Sequence, residues 1–271
     1  MKYPNLRFKF DNKMIDIAAL NEDDFLYKYI LRNGTFYEEG LLRYARLVVN
    51  ARGGIAIDAG ANIGNHSVFF GTFITPHVIC FEPNPKVLPI LRRNLVANGV
   101  DALPYPVGLA DAEGVAAMAL EEHHRDNVGA TRLAPSDGEG AASVPLKRLD
   151  DLMPEIRARL GAGARVALLK VDVEGMEEAV LRGAGEMIAT DRPDIFAETQ
   201  EPADLARLLA FLGPRGYRKV ASFAATPTWH FVPAERFYRA LAISRAFWLA
   251  WTARRVWRRL VGVRGASRGA G

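Results

Sequence analysis

The sequence predicts an α/β fold of the nucleotide-binding kind, and three stretches predict it. Ile55–His66 (IAIDAGANIGNH) is a short apolar run that stops at Asp58. A loop follows in which Gly60 and Gly64 bracket Asn62, and His66-Ser-Val-Phe-Phe opens a helix. Val78–Glu82 (VICFE) is a second apolar run closed by a carboxylate. Val166–Asp172 (VALLKVD) is a third, near-continuous one, as expected of a central strand buried on both faces. Strand, glycine turn and helix make the first unit of such a fold, whose ligands sit beyond the carboxyl ends of the strands.

The other elements come in chain order. Residues 1–50 precede the sheet and are expected to form a helical cap. Asp11-Asn12-Lys13 is a turn, a helical pattern runs through Asp24–Leu31, and Asn33-Gly34 breaks it. Phe36-Tyr37-Glu38-Glu39 then leads into a second helix over Leu41–Val49. Phe36 and Tyr37 are expected as core contacts, and Glu38 either caps that helix or reaches a ligand. Residues 51–235 form the main domain. Pro85–Ala97 reads as a helix closed by Asn98-Gly99, and Leu103–Leu109 as a third strand, with Asp111 an ordinary turn residue. Residues 112–147 read as an irregular insertion overhanging the strand ends, a lid or a solvated loop. His123 and His124 at its centre are adjacent, point apart and lack a second ligand pair, so no zinc site is expected. Leu149 opens another helix and Asp194–Thr199 is a strand carrying Glu198 at its end. Ala203–Phe211 is a helix, and Tyr217–Phe223 with Thr228–Val232 is a closing hairpin.

The acidic strand ends carry the chemistry. Glu82 lies 24 residues beyond Asp58, about one helix and two turns, which places it at the tip of the adjacent parallel strand. There a carboxylate accepts hydrogen bonds from both hydroxyls of a ribose. A dinucleotide site wants a third glycine, so that amides meet a pyrophosphate. The loop Gly60-Ala-Asn-Ile-Gly64 has none at that spacing, and Asp58 would repel phosphate while suiting an ammonium or a sulfonium. S-adenosylmethionine fits that pattern better than a nicotinamide dinucleotide.

Composition bounds the rest. The 271 residues, 49% hydrophobic, suffice for one main core with appendages. The single cysteine, Cys80, falls inside the second strand as a small apolar residue, and a reducing, cytoplasmic compartment is expected. The N-terminus lacks the apolar core of a signal peptide, and no stretch is long enough to span a bilayer. Nine arginines and no acid fall in residues 236–271, so of the net +4 the first 235 residues carry −5. The basic character belongs to this tail, which argues against a nucleic-acid site on the core. Leu241–Val263 has helical spacing, with Ala242, Ala246, Leu249, Ala253, Val256 and Leu260 on one side and Arg245, Arg255 and Arg259 opposite. Trp248, Trp251 and Trp257 lie along the boundary. Such a helix either packs on the protein or lies on an anionic membrane surface, peripherally at the inner face.

With these pieces assembled, the chain resembles the FkbM-type methyltransferases from about Phe36 to Val232. The resemblance rests on IDAGANIGNH (Ile57–His66), FEPNP (Phe81–Pro85), NVGATRL (Asn127–Leu133), LDDL (Leu149–Leu152) and above all LLKVDVEGMEEAVLRGA (Leu168–Ala184). RPDIFAET (Arg192–Thr199) and TPTW (Thr226–Trp229) also agree. It implies a class I methyltransferase fold, a seven-stranded, mostly parallel sheet with a reversed last strand and helices on both faces, binding S-adenosylmethionine. It also implies methylation of a hydroxyl oxygen, often on a sugar of a glycolipid, polysaccharide or natural product. By motif position, Asp58, Gly60, Asn62 and Gly64 would hold the methionine end of the cofactor and Glu82 the ribose. Asp172 and Glu174 would sit where cofactor and acceptor meet, Asp172 touching both and either one serving as the base. His66, His124, Asn127 and Glu198 are further candidates on the acceptor side, and Asp172 with Glu198 could hold a divalent ion. The rival readings are a nicotinamide-dependent oxidoreductase and an inactive, membrane-associated binding protein of the same fold.

Overall fold

The structure is a computed structural model that describes residues 3–51, 53–120, 131–135, 143–161 and 163–266, with the backbone alone at 119–120, 131–135 and 255–266. The chain opens on a hairpin, β1 (Asn5–Phe10) and β2 (Lys13–Ala18), turned at Asp11, followed by helices α1 (Phe25–Asn33) and α2 (Glu39–Val48). The expected helical cap is therefore half sheet. Alternation puts Phe8, Phe10, Ile15 and Ile17 in the core, a period of two that belongs to strands. Two amide side chains from a later helix and its C-terminal cap fasten this hairpin. Asn94 bonds both the N–H and the C=O of Ala18 at 2.8 Å, and Asn98 does the same for Asp16 at 2.9 and 2.7 Å.

The main sheet begins with β3 (Ile55–Ala59), α3 (Asn65–Phe73), β4 (His77–Phe81), α4 (Leu88–Ala97) and β5 (Ala102–Tyr105). α4 starts three residues later than expected, since Pro85, Lys86 and Val87 form a turn. The third strand stops at Tyr105 rather than Leu109, and Pro106, which has no N–H for a ladder, separates it from Gly108 and Leu109. Residues 112–147, expected to be irregular, hold most of a second sheet, made of β6 (Gly108–Leu109), β7 (Gly114–Leu120), β8 (Thr131–Pro135) and β9 (Ser143–Lys147), ordered β6-β9-β7-β8. His123, His124 and Asn127 lie outside the described residues.

The chain then re-enters the main sheet through α5 (Leu149–Leu160), β10 (Val166–Val171), α6 (Glu177–Gly183), α7 (Gly185–Asp191) and β11 (Asp194–Glu198). It closes with α8 (Pro202–Leu212), β12 (Tyr217–Phe223), β13 (Thr228–Pro233) and a C-terminal helix, α9 (Phe237–Ala266). The strand order is β12-β13-β11-β10-β3-β4-β5, parallel from β5 to β11, with β13 antiparallel to both its neighbours. This is the seven-stranded sheet with a reversed last strand that the family resemblance implies. Every residue of β3 is buried, which is why parallel strands read as unbroken apolar runs. Alternate side chains feed two cores. Ile55, Ile57, Ile79 and Leu169 pack against α5–α8, while Ala56, Val78 and Leu168 face the hairpin and α2–α4.

The tail helix corrects the expected polarity. Ala240, Ser244 and Phe247 are buried, Trp251 covers Gly40, where an added Cβ would lie 3.4 Å from its ring, and Trp248 stacks on Phe223. Ala242, Ala246, Leu249 and Ala253, the apolar face of the sequence pattern, are exposed. Large rings outcompete alanines for the core because burial stabilises in proportion to apolar area. No described helix is long and apolar enough to cross a membrane.

Candidate active site

Parallel register decides which acidic side chains reach the sheet edge. Ala59 pairs with Phe81 and with Val171, so Glu82 and Asp172 each stand one residue past the last pair. Glu198 ends β11. Asp58 lies one residue inside, level with Cys80 on one side and Lys170 on the other. It is wholly buried, accepts from Ser67 Oγ at 2.5 Å and lies 3.8 Å from Lys170 Nζ. Asp58 is thus not a wall of the cleft but a brace behind it. Gly64 is likewise buried under Leu91, where a Cβ would lie 2.7 Å from Leu91 Cδ1. Asp111 is an exposed bend residue away from the main cleft.

The cleft above this edge holds about 1310 Å³, counting space open to solvent, and takes its walls from the N-terminal cap, the main sheet and β7. Gly60, at φ +80°, turns the chain where a Cβ would collide with the Asp172 carbonyl. Asn62 comes next at φ +48°, and its N–H donates to Glu82 Oε2 at 2.8 Å. The Asn84 N–H donates to Glu82 Oε1 at 2.7 Å. Each carboxylate oxygen keeps further lone pairs for a ligand hydroxyl. Burial pushes the Glu82 carboxyl up to about 7, against the pull of those two amides. Phe81, Pro83, Val107 and Leu109 give this end an apolar lining.

At the other end stand Tyr37, Glu38, His66, Lys170, Asp172, Glu174 and Glu198. Lys170, which no sequence signal marks, is 1% exposed, and its ammonium lies 2.9 Å from Asp172 Oδ2. Burial works against its charge, but Asp172 and Asp58 outweigh that and hold it protonated. Burial also opposes the Asp172 charge, yet Lys170 and a hydrogen bond with Glu198 hold Asp172 below the usual carboxylate range. Burial and the Asp172 charge push Glu198 well above it. One proton between two carboxyls, beside an ammonium, is the result.

Glu174, at φ +54°, accepts from Gln200 Nε2 at 2.6 Å. Glu38 does not cap α2. Its side chain turns to His66, Oε2 lying 3.1 Å from Nε2, an ion-pair distance without good hydrogen-bond alignment. Phe36 is core, as expected, whereas Tyr37 lines the cleft.

These residues fit a ribose-bearing, positively charged cofactor: Glu82 has lone pairs free to accept from hydroxyls, and the far end supplies carboxylates. A divalent ion fits poorly. Among the described residues no three His, Cys, Asp or Glu side chains are grouped to hold one, and Lys170 already neutralises the Asp172–Glu198 pair.

Known proteins are similar to this chain in sequence. Methyltransferase sdnD of Sordaria araneosa is 30% identical over 190 residues, covering 59% of this chain and 72% of that protein. The 31-O-demethyl-FK506 methyltransferase FkbM of Streptomyces tacrolimicus is 28% identical over 256 residues, 81% of this chain and 93% of that one. Hexuronic acid methyltransferase AglP of Haloferax volcanii is 26% identical over 156 residues, 56% and 60% respectively. Residues 58–219, more than half of the chain and most of the cleft, match the model of the methyltransferase FkbM domain, and the chain belongs to that family of methyltransferases.

Proposed function

We propose that this methyltransferase uses S-adenosylmethionine and methylates a hydroxyl oxygen, on a sugar of a glycolipid, polysaccharide or natural product. The observation that carries the reading is Glu82, buried at the tip of β4, facing along one cleft toward Lys170, Asp172 and Glu198. The names of two relatives, one for a 31-O-demethyl substrate and one for hexuronic acid, support an oxygen acceptor and a sugar.

When bound, the cofactor supplies a methyl group already activated on a cationic sulfur. The protein's work is then alignment, exclusion of water and care of one proton. Glu82 accepts the ribose hydroxyls, and the amides of Asn62 and Asn84 keep its carboxylate in place. Asp172, held ionised by Lys170, faces positive charge. Glu198, carrying the shared proton, can donate a hydrogen bond to a neighbouring oxygen of the acceptor.

We place the enzyme in the cytoplasm, where the five arginines after Arg254, four of them in α9, would meet an anionic membrane surface carrying a lipid-linked acceptor. Mass spectrometry of glycans and lipids from cells with and without the gene tests the acceptor class. One species lighter by one methyl group in the deleted cells is expected; unchanged methylation of every glycan and lipid contradicts the reading.

A further inference from the structure

We propose that His66 is the catalytic base for the acceptor hydroxyl, and that Glu38, from the segment before the family domain, is its positioning residue. The inference rests on the methyltransferase reading of the cleft and pairs His66, inside the family match, with Glu38, which lies before its start at residue 58. His66 Nε2 lies 3.1 Å from Glu38 Oε2, and the two side chains are 9% and 7% exposed within the cleft wall.

The local chain is built to bring them together. Asn65, beside His66 in the first turn of α3, grips the backbone of Tyr37, beside Glu38. Its Oδ1 accepts from the Tyr37 N–H at 3.0 Å and its Nδ2 donates to the Tyr37 C=O at 3.1 Å. Glu38 itself sits at φ +56°, a left-handed conformation that glycine adopts freely and glutamate does not. Glu38 stands at the N-cap of α2, yet its side chain makes no capping bond there. An unfavourable backbone at a cleft residue, with its side chain turned inward on an imidazole, points to a role in the site.

The other candidates are occupied. Asp172 is ion-paired with Lys170 and hydrogen-bonded with Glu198, so it accepts a proton poorly, and Glu198 holds one already. Glu174 is bonded by Gln200, and burial keeps the Tyr37 phenol protonated. These groups, with Glu38 and Lys170, are the titratable neighbours that share His66's part of the cleft.

With Nε2–H turned to Glu38, Nδ1 is the ring nitrogen left to take a proton. The acceptor oxygen bonds to the methyl carbon as the carbon–sulfur bond breaks, and that electron pair stays on sulfur. The hydroxyl proton passes to Nδ1, and the Glu38 carboxylate balances the imidazolium that results. The apo hydrogen bond is poorly aligned, as such bonds often are before a substrate closes the site.

Imidazole ¹⁵N NMR of the full chain, with the His66 signal assigned by loss in His66→Asn, tests the pair without any acceptor. The expected result is an Nε2–H tautomer in the wild type and a smaller share of that tautomer in Glu38→Gln. Glu38→Asp, which keeps the charge, restores most of it. Methyl transfer from labelled S-adenosylmethionine into a polysaccharide-and-lipid extract of the source cells supplies the second readout. His66→Asn should cut the rate by about two to four orders of magnitude. Glu38→Gln should lower kcat with cofactor affinity unchanged, and Glu38→Asp should recover most of the rate. A Nδ1–H tautomer, a tautomer balance indifferent to Glu38→Gln, or a wild-type rate in His66→Asn would overturn the proposal. An extract that takes no methyl group from the wild type counts against the proposed function, while the NMR result still decides the pair.

Discussion

Glu82 is a buried carboxyl in the cleft, and its protonation makes that burial measurable. Its carboxyl rises from an ordinary 4.5 to about 7 in the fold, chiefly through burial. The folded state therefore binds the proton more tightly than the unfolded chain does, and the stability this group contributes is lost as pH rises from about 4.5 to about 7. Wild-type stability should fall relative to Glu82→Gln over that window by about 3 kcal/mol at most; parallel urea-denaturation curves from pH 4.5 to 8 would contradict it. Lys170 shows the opposite economy. Removing its ammonium in Lys170→Met leaves Asp58 and Asp172 uncompensated in the sheet, and a loss of about 3–5 kcal/mol is expected in the same assay. Glu82, Asp172, Glu174 and Glu198 are legible in the sequence because each follows or closes an apolar run. Lys170 is not, since a lysine inside such a run reads as a flaw in the strand. Asp58 is expected at the edge and lies one residue short of it. The β3 ladder continues through Ala59, so the Asp58 carboxylate turns into the sheet's face rather than out at its edge.

At the scale of elements, long buried strands announce themselves and small ones do not. β3, β4, β10 and β11 are largely apolar runs, whereas β1 and β2 show only alternation and β7 is rich in alanine. Their pairing depends on partners distant in sequence. The hairpin's hold on α4 through Asn94 is a case in point: Asn94→Ala orphans the N–H and C=O of Ala18 and should cost about 1–3 kcal/mol. α9 is held by a different device. Tyr44 Oη donates to His230 Nδ1 at 2.9 Å, His230 Nε2 lies 2.9 Å from Asp194 Oδ1, and Arg236, just before α9, reaches Asp194 Oδ2 at 2.8 Å. Burial lowers the His230 pKa despite the pull of Asp194. The fold thus favours neutral His230, a preference fully present above the unfolded value of about 6.5 and lost as pH falls below it. Thermal melts should show wild-type stability dropping more steeply than His230→Gln between pH 7 and 5, and equal slopes would contradict that.

For the whole molecule, the open questions are where it sits and what it binds. The tail's apolar rings pack on the core, so a chain ending before α9 would lose stability as well as charge. A chain ending at Arg254 keeps the packed turns and sheds five arginines. Co-sedimentation with anionic vesicles should be strong for the full chain, weak for that shorter chain and weaker for both in high salt; equal sedimentation would leave the tail as a packed helix alone. The central claim is that the cleft over β3, β4 and β10 binds S-adenosylmethionine through Glu82. Calorimetry of the full chain with S-adenosylmethionine and with NAD, repeated on Glu82→Ala, tests it directly. The account predicts binding of the first, none of the second, and a loss of about 2–4 kcal/mol in the variant as two charge-assisted hydrogen bonds disappear. Binding of NAD in its place, or a cofactor dissociation constant unchanged by Glu82→Ala, would contradict it.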